Sequence, residues 1–242
     1  MTTTDLSAER QEALRRFVLE QSSAGINPQD PPALRLKKRL LPQRARYPLR
    51  VLATALERPW SARKLREIQA QAPVLLNIGS GYNPKAGWTN IDLFGAPVDV
   101  AWDLSRGIPF PDGSVDGIYH EHLMEHLTLR QGFDLCRECH RALRPDAILR
   151  IGVPDAGELL GSYAGTRNAT WAESAPIPML AVDALFYEHG HRAMYDGQLL
   201  TLLVASAGFR QSEASEFGRT RLDPVPDDPD RRDGTLYVEA VK

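Results

Sequence analysis

Short apolar runs alternate with amphipathic stretches from Pro73 onward. The run VLLNI at 74–78 ends in Gly79-Ser80-Gly81, which is typical of a buried parallel strand that enters a tight turn. Similar runs predict strands at 88–93, 98–103, 115–119 and 147–153, a sixth strand that begins at 209, and a last, antiparallel strand at 235–241. Helices are predicted at 123–143 and 198–207.

Strands that alternate with helices in this way favour an α/β fold. We expect a Rossmann-like, doubly wound and mostly parallel sheet with an antiparallel C-terminal strand, preceded by a helical N-terminal extension.

The first 72 residues have a different pattern, with amphipathic helices predicted at 6–20, 33–41, 48–56 and 62–71 and no strand. This part carries 14 Lys and Arg against 7 Asp and Glu, whereas the rest carries 15 against 24. The chain is therefore divided into a basic helical extension, 1–72, and an α/β domain, 73–242. The extension is expected to act as a lid or as a dimer contact.

The composition is that of an ordinary globular protein. Hydrophobic residues make up 43% of the 242 residues and charged residues 25%, which excludes a disordered or collagen-like chain. No apolar run reaches the length of about 18 residues that a membrane span needs, the start lacks the pattern of a secretory signal, and two cysteines exclude a disulfide scaffold. We expect a cytoplasmic enzyme.

Three predicted strands end in residues that suit an adenosine-type ligand. Gly79 and Gly81 follow the first strand, Asp92 ends the second and Asp103 ends the third. Ligands of doubly wound sheets bind at this edge. The glycines allow close approach of the backbone, Asp92 can accept hydrogen bonds from both ribose hydroxyls, and Asp103 can accept one from an exocyclic amine.

A pyrophosphate-binding motif is excluded. The dinucleotide fingerprint needs a third glycine at the start of a helix, but Pro84 follows this turn closely. Asp92 comes 13 residues after Gly79, which is short of the usual spacing of about 20. The Gly-Lys-Ser/Thr end of a P-loop is also absent.

Several segments resemble class I S-adenosylmethionine (SAM)-dependent methyltransferases. They are LNIGSG, GWTNIDL, DVAWDLSRGIPFPDGSVDGIYHEHLMEHL, HRALRPDAILRIGVPD, HGHRAMYDGQLLTLLVASAGF and TLYVEAVK, which together cover roughly residues 73–242. The nearest subgroup is a small bacterial one often associated with polysaccharide biosynthesis. The resemblance implies SAM as the cofactor and S-adenosyl-L-homocysteine (SAH) as its product.

The resemblance also implies where the cofactor binds. Gly79 and Gly81 would line its methionine part, Asp92 would hold the ribose, and Asp103 with Leu104 would frame the adenine. The full expected set is Asn77, Gly79, Ser80, Gly81, Asp92, Leu93, Asp103, Leu104 and His120.

Two positions of that set, and one outside it, have particular features. His120, which follows the predicted fourth strand, would lie near the sulfonium. Asn77 stands where many family members have a carboxylate, which weakens one cofactor contact, and Ala147 replaces a usual glycine.

Two short patterns invite a metal or haem interpretation. HLMEH at 122–126 matches the H-x-x-E-H pattern of zinc peptidases, and CRECH at 136–140 matches a haem attachment site. However, Glu125 and His126 belong to the EHL signature of the resembled family, and cysteines inside a predicted helix behave as small hydrophobes. No metal site is predicted, although an ion that joins histidines with Asp155 stays open.

Transfer of a methyl group to an aliphatic hydroxyl needs a general base, because the hydroxyl has a high pKa. Histidine suits this role near neutral pH. The candidates are His120 and His122 after the fourth strand and His189 and His191 in YEHGHRAMYD. His122 is our first choice. His191 and Tyr195 are expected to face the acceptor.

Three function classes follow. The first is O-methylation of a sugar or glycan hydroxyl, the second is methylation of a phenol or carboxylate in secondary metabolism, and the third is a non-catalytic scaffold. The intact glycines and both acids argue against the third. The basic extension has few aromatic residues for base stacking, so no nucleic-acid partner is expected. A homodimer and weak peripheral contact with anionic membranes are alternatives for the extension.

Overall fold

The computed structural model describes residues 9, 11–16, 43–168, 175, 177–188 and 190–242. Within them, the strands are β1 (Leu75–Ile78), β2 (Thr89–Asp92), β3 (Val100–Ala101), β4 (Val115–Glu121), β5 (Leu143–Pro154), β6 (Gln211–Ser215) and β7 (Thr235–Val241). They form one sheet in the order β3-β2-β1-β4-β5-β7-β6. Neighbours from β3 to β5 are parallel, and β7 is antiparallel to both β5 and β6. The predicted Rossmann-like fold with an antiparallel C-terminal strand is confirmed.

Helices surround the sheet. They are α1 (Gln43–Leu56), α2 (Arg58–Gln69), α3 (Leu129–Ala142), α4 (Ala156–Tyr163), α5 (Pro178–Asp183), a π-helical turn (Ala184–Glu188) and α6 (Gly197–Ser206). Short 3-10 turns occupy Leu104–Arg106, Met124–His126 and Pro229–Arg231. Residues 11–16 are helical, as predicted, and the helix predicted at 33–41 lies outside the described residues. None of the described helices has both the length and the apolar character to cross a bilayer.

The long helix predicted at 123–143 is wrong in its first turn. A 3-10 turn occupies Met124–His126, and α3 begins only after Thr128. The Thr128 hydroxyl accepts a hydrogen bond from the Gln131 amide, and the Gln131 side chain accepts one from the Thr128 amide. This capping box fixes the start of α3 and leaves the preceding residues free to shape a loop.

Three strand boundaries also differ from prediction. β5 begins at Leu143, directly after α3, because Leu143 pairs with Val115 at the start of β4. β3 keeps only two of the six residues predicted for it, and β6 begins at Gln211 rather than at Phe209.

The two faces of the sheet are covered differently. On one face a large core includes Leu65 of α2, Leu135 of α3 and Leu200 of α6. On the other face a smaller cluster surrounds Tyr119 and includes Leu222 from the chain between β6 and β7. Because Leu65 belongs to the main core, α2 packs directly on the sheet.

Candidate cofactor and catalytic site

The turn after β1 has no room for side chains at its first position. Gly79 and Gly81 have positive φ angles of 66° and 54°, which residues other than glycine seldom adopt. A Cβ on Gly79 would lie 2.7 Å from the δ carbons of Leu123. The Gly81 amide donates a hydrogen bond of 2.8 Å to Oδ2 of Asp92. The turn is thereby fixed to the end of β2.

A cavity of about 300 Å³ lies along the carboxyl ends of β1, β2 and β3. Five of the predicted cofactor residues line it, namely Gly79, Asp92, Leu93, Asp103 and Leu104. Its other walls include Trp102, residues of α3 and Tyr47 of α1. The structure thus brings these five residues together, as their positions at strand ends predict.

Asp92 is held by a helix of the extension as well as by its own turn. Its Oδ1 accepts hydrogen bonds from the Leu93 amide and, at 2.8 Å, from the Arg50 guanidinium of α1. Arg50 also donates to the carbonyl oxygens of Leu93 and Phe94. Sequence reasoning missed both Arg50 and Tyr47. Both lie in a basic amphipathic helix, and no local signal separates them from their exposed neighbours.

Gly79 also lines a smaller cavity of about 90 Å³. Its polar side chains include Ser80, Lys85, Tyr119, Glu121, His122 and Arg231. Three buried oxygens, Ser80 Oγ, Tyr119 OH and Glu121 Oε2, make no hydrogen bond with any described residue. Arg231 Nη1 lies 3.9 Å from Glu121 Oε2, and Lys85 adds a second positive charge. One anion, two cations and unused hydrogen-bonding groups suit a zwitterionic ligand.

His122 stands at the rim of this smaller cavity, directly after β4. Its φ of 53° places it in the left-handed region, which histidine tolerates better than most residues. Nδ1 lies 3.1 Å from Oε1 of Glu125, and Nε2 lies 3.1 Å from the Thr235 hydroxyl. The side chain is 27% exposed, whereas that of Glu125 is buried. This is the arrangement of a histidine oriented by a carboxylate.

His120 lies elsewhere than expected. Alternate residues of β4 point to opposite faces of the sheet, and Tyr119 and Glu121 face the smaller cavity while His120 does not. Its side chain is fully buried, lines neither cavity, and makes no hydrogen bond with a described residue. Burial lowers the pKa of His120 from 6.5 to about 4, an effect that the charge of Glu125 partly offsets. His120 is therefore neutral at physiological pH.

The buried neutral His120 should make stability depend on pH. In the unfolded chain it binds a proton below pH 6.5, whereas the folded protein resists protonation down to about pH 4. We expect the contribution to be fully present above pH 6.5 and to be lost as the pH falls toward 4, by roughly 3 kcal/mol in total. Urea unfolding of wild type and His120→Leu between pH 7 and pH 4 measures it. The two free energies should diverge at low pH in favour of the variant, and parallel curves would contradict the assignment.

Two further predicted residues are placed away from the cavities. Tyr195 is 1% exposed and belongs to the main core, and burial raises the pKa of its hydroxyl. His191 accompanies His126, with ring centroids 5.0 Å apart. Asp155 caps α4 by accepting a hydrogen bond from the Glu158 amide. His189 lies outside the described residues.

Cys136 and Cys139 are buried in the core as free thiols, as predicted. Burial raises the pKa of Cys136 to about 12 and that of Cys139 well above its usual value. Neither thiol is ionised near neutral pH, so neither is prepared for nucleophilic or metal chemistry.

The family model described as "Methyltransferase domain" matches residues 90–151, about a quarter of the chain. The matched segment runs from β2 to β5 and contains Asp92, Asp103 and His122. Residues 90–151 thus carry a methyltransferase domain.

Two solved structures illustrate what the methyltransferase is similar to. One is a SAM-dependent methyltransferase from Archaeoglobus fulgidus, at 15% identity over 80% of this chain and 94% of that one, with a TM-score of 0.48. The other is a SAM-dependent methyltransferase from Thermotoga maritima, at 16% identity over 80% and 97%, with a TM-score of 0.46. No curated protein matches the chain significantly.

The residues around both cavities fit SAM, the cofactor that the sequence resemblance implies. The larger cavity offers the Asp92 carboxylate for the two hydroxyls of a ribose. The smaller one offers opposite charges for an amino-acid group. Asn77, which replaces a carboxylate common in the resembled family, has a local structural role, since its Nδ2 donates to Asn90 Oδ1 at 2.9 Å and to the Asn83 carbonyl. It stabilises the turn that separates the cavities.

Proposed function

We propose that the methyltransferase methylates a hydroxyl group of a sugar or glycan, with His122 as the general base. The observation that carries the proposal is the position of His122 at the rim of the smaller cavity, with the buried Glu125 carboxylate 3.1 Å from its Nδ1. A base for a hydroxyl proton needs both access to the reacting group and a partner that fixes its ring.

In this proposal the cofactor spans both cavities. The larger cavity takes the adenosine part, with Asp92 and Leu93 at the ribose and Asp103 and Leu104 at the adenine. The smaller one takes the amino-acid end, beside Ser80 and the charged side chains described above. Gly79 lines both cavities, so the link between the two parts of the cofactor passes over this glycine. A Cβ at this position would collide with the side chain of Leu123.

The bound cofactor supplies a methyl group on a positively charged sulfur, so the protein's task is to position the acceptor and remove its proton. His122 accepts the hydroxyl proton at Nε2, the nitrogen that faces the Thr235 hydroxyl. Glu125 holds the ring through Nδ1 and stabilises the imidazolium that forms. Thr235 is therefore a suitable group to align the acceptor oxygen.

The surroundings of His122 support a hydroxyl-rich acceptor. Tyr82 lines the smaller cavity, is 51% exposed, and can stack on the face of a sugar ring. Arg231 of the same cavity and Thr235, whose hydroxyl lies 3.1 Å from His122 Nε2, add hydrogen-bonding groups. The preference for glycans also follows the resemblance to the subgroup associated with polysaccharide biosynthesis, and we propose that setting, in the cytoplasm, for the enzyme.

Of the two roles expected for the extension, the contacts favour a lid. Tyr47 lines the larger cavity and Arg50 bonds the Asp92 carboxylate, so α1 covers the adenosine part of the proposed cofactor site. The homodimer and the membrane contact stay predictions.

An acceptor screen tests the proposed function. The protein is incubated with SAM that carries a labelled methyl group and with panels of free sugars, nucleotide sugars, phenols and carboxylates, and the products are analysed by mass spectrometry and NMR. We expect a sugar O-methyl ether that the His122→Ala variant does not form. Label found only on phenols or carboxylates would contradict the sugar proposal, and SAH binding without any transfer would favour a scaffold.

A further inference from the structure

Three potential metal ligands from two distant segments meet next to His122. Glu125 and His126 belong to the 3-10 turn after β4, and His191 lies between the π-helical turn and α6. One ligand atom from each residue lies within 4.8 Å of the other two. Neither the methyl transfer nor the cofactor site described above uses His126 or His191.

The carboxylate in this cluster is buried, and its contact with His122, 3.1 Å from Oε1 to Nδ1, is not a well-aligned hydrogen bond. Glu125 is 1% exposed, and neither of its oxygens makes a well-aligned hydrogen bond with a described residue. An ionised carboxylate in this position is costly unless a cation accompanies it.

His191 is held in the orientation of a metal ligand. Its Nδ1 is hydrogen-bonded to the carbonyl oxygen of Leu185, so Nε2 carries the lone pair. Ligand histidines commonly donate their other nitrogen to a backbone carbonyl in this way. The next two amides, of Arg192 and Ala193, donate to the Glu125 carbonyl at 2.7 and 3.2 Å. The backbone of this segment is thus tied to the residue that supplies the carboxylate.

We propose that Glu125, His126 and His191 bind one divalent transition-metal ion, with Zn²⁺ the best match. Two imidazoles and a carboxylate form a ligand set that Zn²⁺ accepts, with bonds of about 2.0–2.2 Å. Each ligand atom has to move by about 1 Å to reach a shared ion at these lengths. Glu125 binds through Oε2 and keeps Oε1 toward His122. The ion neutralises the buried charge and clips the segment around His191 to the sheet.

The site differs from the zinc-peptidase pattern that HLMEH suggests. That pattern places two histidines one turn apart on a helix, but His122 lies at a strand end with a positive φ angle, outside any helix. The second imidazole comes instead from His191, far along the chain. The proposal does not depend on the identity of the methyl acceptor.

Metal titration tests the site. Full-length protein without a histidine tag is stripped with a chelator, dialysed and titrated with Zn²⁺ against a chromophoric competitor. We expect one equivalent to bind with micromolar or tighter affinity and to raise Tm. His191→Asn should weaken binding at least about 10-fold. His140→Asn, which changes a histidine that packs on Phe209 outside the cluster, should not.

Two controls keep the proposal open to refutation. SAH binding by His191→Asn shows that the variant is folded, and if it is not, His126→Asn replaces it. The visible absorption of Co²⁺ bound to the wild type provides a second readout. Co²⁺ with four or five ligands absorbs strongly, whereas hydrated Co²⁺, which has six, absorbs weakly. Absence of stoichiometric Zn²⁺ and Co²⁺ binding by the wild type would overturn the proposal, as would unchanged binding by a folded His191→Asn.

Discussion

Replacement of His122 by Ala should lower the rate of methyl transfer by about 10²- to 10⁴-fold, which is the contribution of a positioned general base. The dissociation constant of SAH should change little, because the charged groups proposed to hold its amino-acid end, Lys85, Glu121 and Arg231, stay in place. The Glu125 carboxylate, 3.1 Å away, would lose the imidazole that it orients. Single-turnover methyl transfer and calorimetric SAH binding measure the two quantities separately.

A second variant separates chemistry from backbone strain at this position. His122 has a φ of 53°, which Asn tolerates better than Ala, so His122→Asn keeps the local conformation while removing the base. We expect both variants to be equally slow. Full activity in His122→Asn would eliminate His122 as the base, and slow transfer with lost SAH affinity would point to a structural role instead.

Replacement of Arg150 by Ala should lower the free energy of unfolding by about 3–5 kcal/mol. Arg150 of β5 is fully buried and pairs with Asp227 through two hydrogen bonds of 2.6 and 2.5 Å. Its guanidinium also donates to the carbonyl oxygens of Glu216 and Arg219 and lies 4.7 Å from the centre of the Tyr237 ring. Removal of the cation leaves the Asp227 carboxylate buried and unpaired, which is the main cost.

Urea unfolding with a matched arginine variant measures this effect. Arg210 pairs with Asp146 on the surface, where both side chains are more than half exposed, so Arg210→Ala should cost less than about 1 kcal/mol. The double variant Arg150→Met/Asp227→Leu should be more stable than Arg150→Ala, because it removes both buried charges. Equal losses for Arg150→Ala and Arg210→Ala would contradict this view of the buried pair.

Much of the sheet could be predicted because the period of the apolar residues is a local property. VLLNI and the alternating end of the chain appear at β1 and β7 almost as expected. The start of α3 could not be read from the same pattern, since the apolar residues before Thr128 suit a helix equally well. A capping box decides the boundary there, and its effect depends on competing local hydrogen bonds.

The cofactor residues were predictable to the extent that topology determines their position. Parallel strands end at one edge, so Gly79, Asp92 and Asp103 had to be neighbours, and they line one cavity. Long-range contacts were not predictable: the bond from Arg50 to Asp92 spans 42 positions of sequence. Alternate residues of β4 face opposite sides of the sheet, and the sequence pattern does not show which side carries the site. The position of His120 away from the cavities was therefore not predictable.

The binding of SAH, measured by isothermal titration calorimetry, tests most directly whether the edge defined by Gly79, Asp92 and Asp103 holds the cofactor. We expect one site with micromolar affinity in the wild type. Asp92→Ala should weaken binding by about 10- to 100-fold, because it removes hydrogen bonds to a charged acceptor. Asp183→Ala, which changes an exposed carboxylate in α5, should bind as the wild type does. No binding by the wild type, or equal affinity in Asp92→Ala, would contradict the assignment of this edge as the cofactor site.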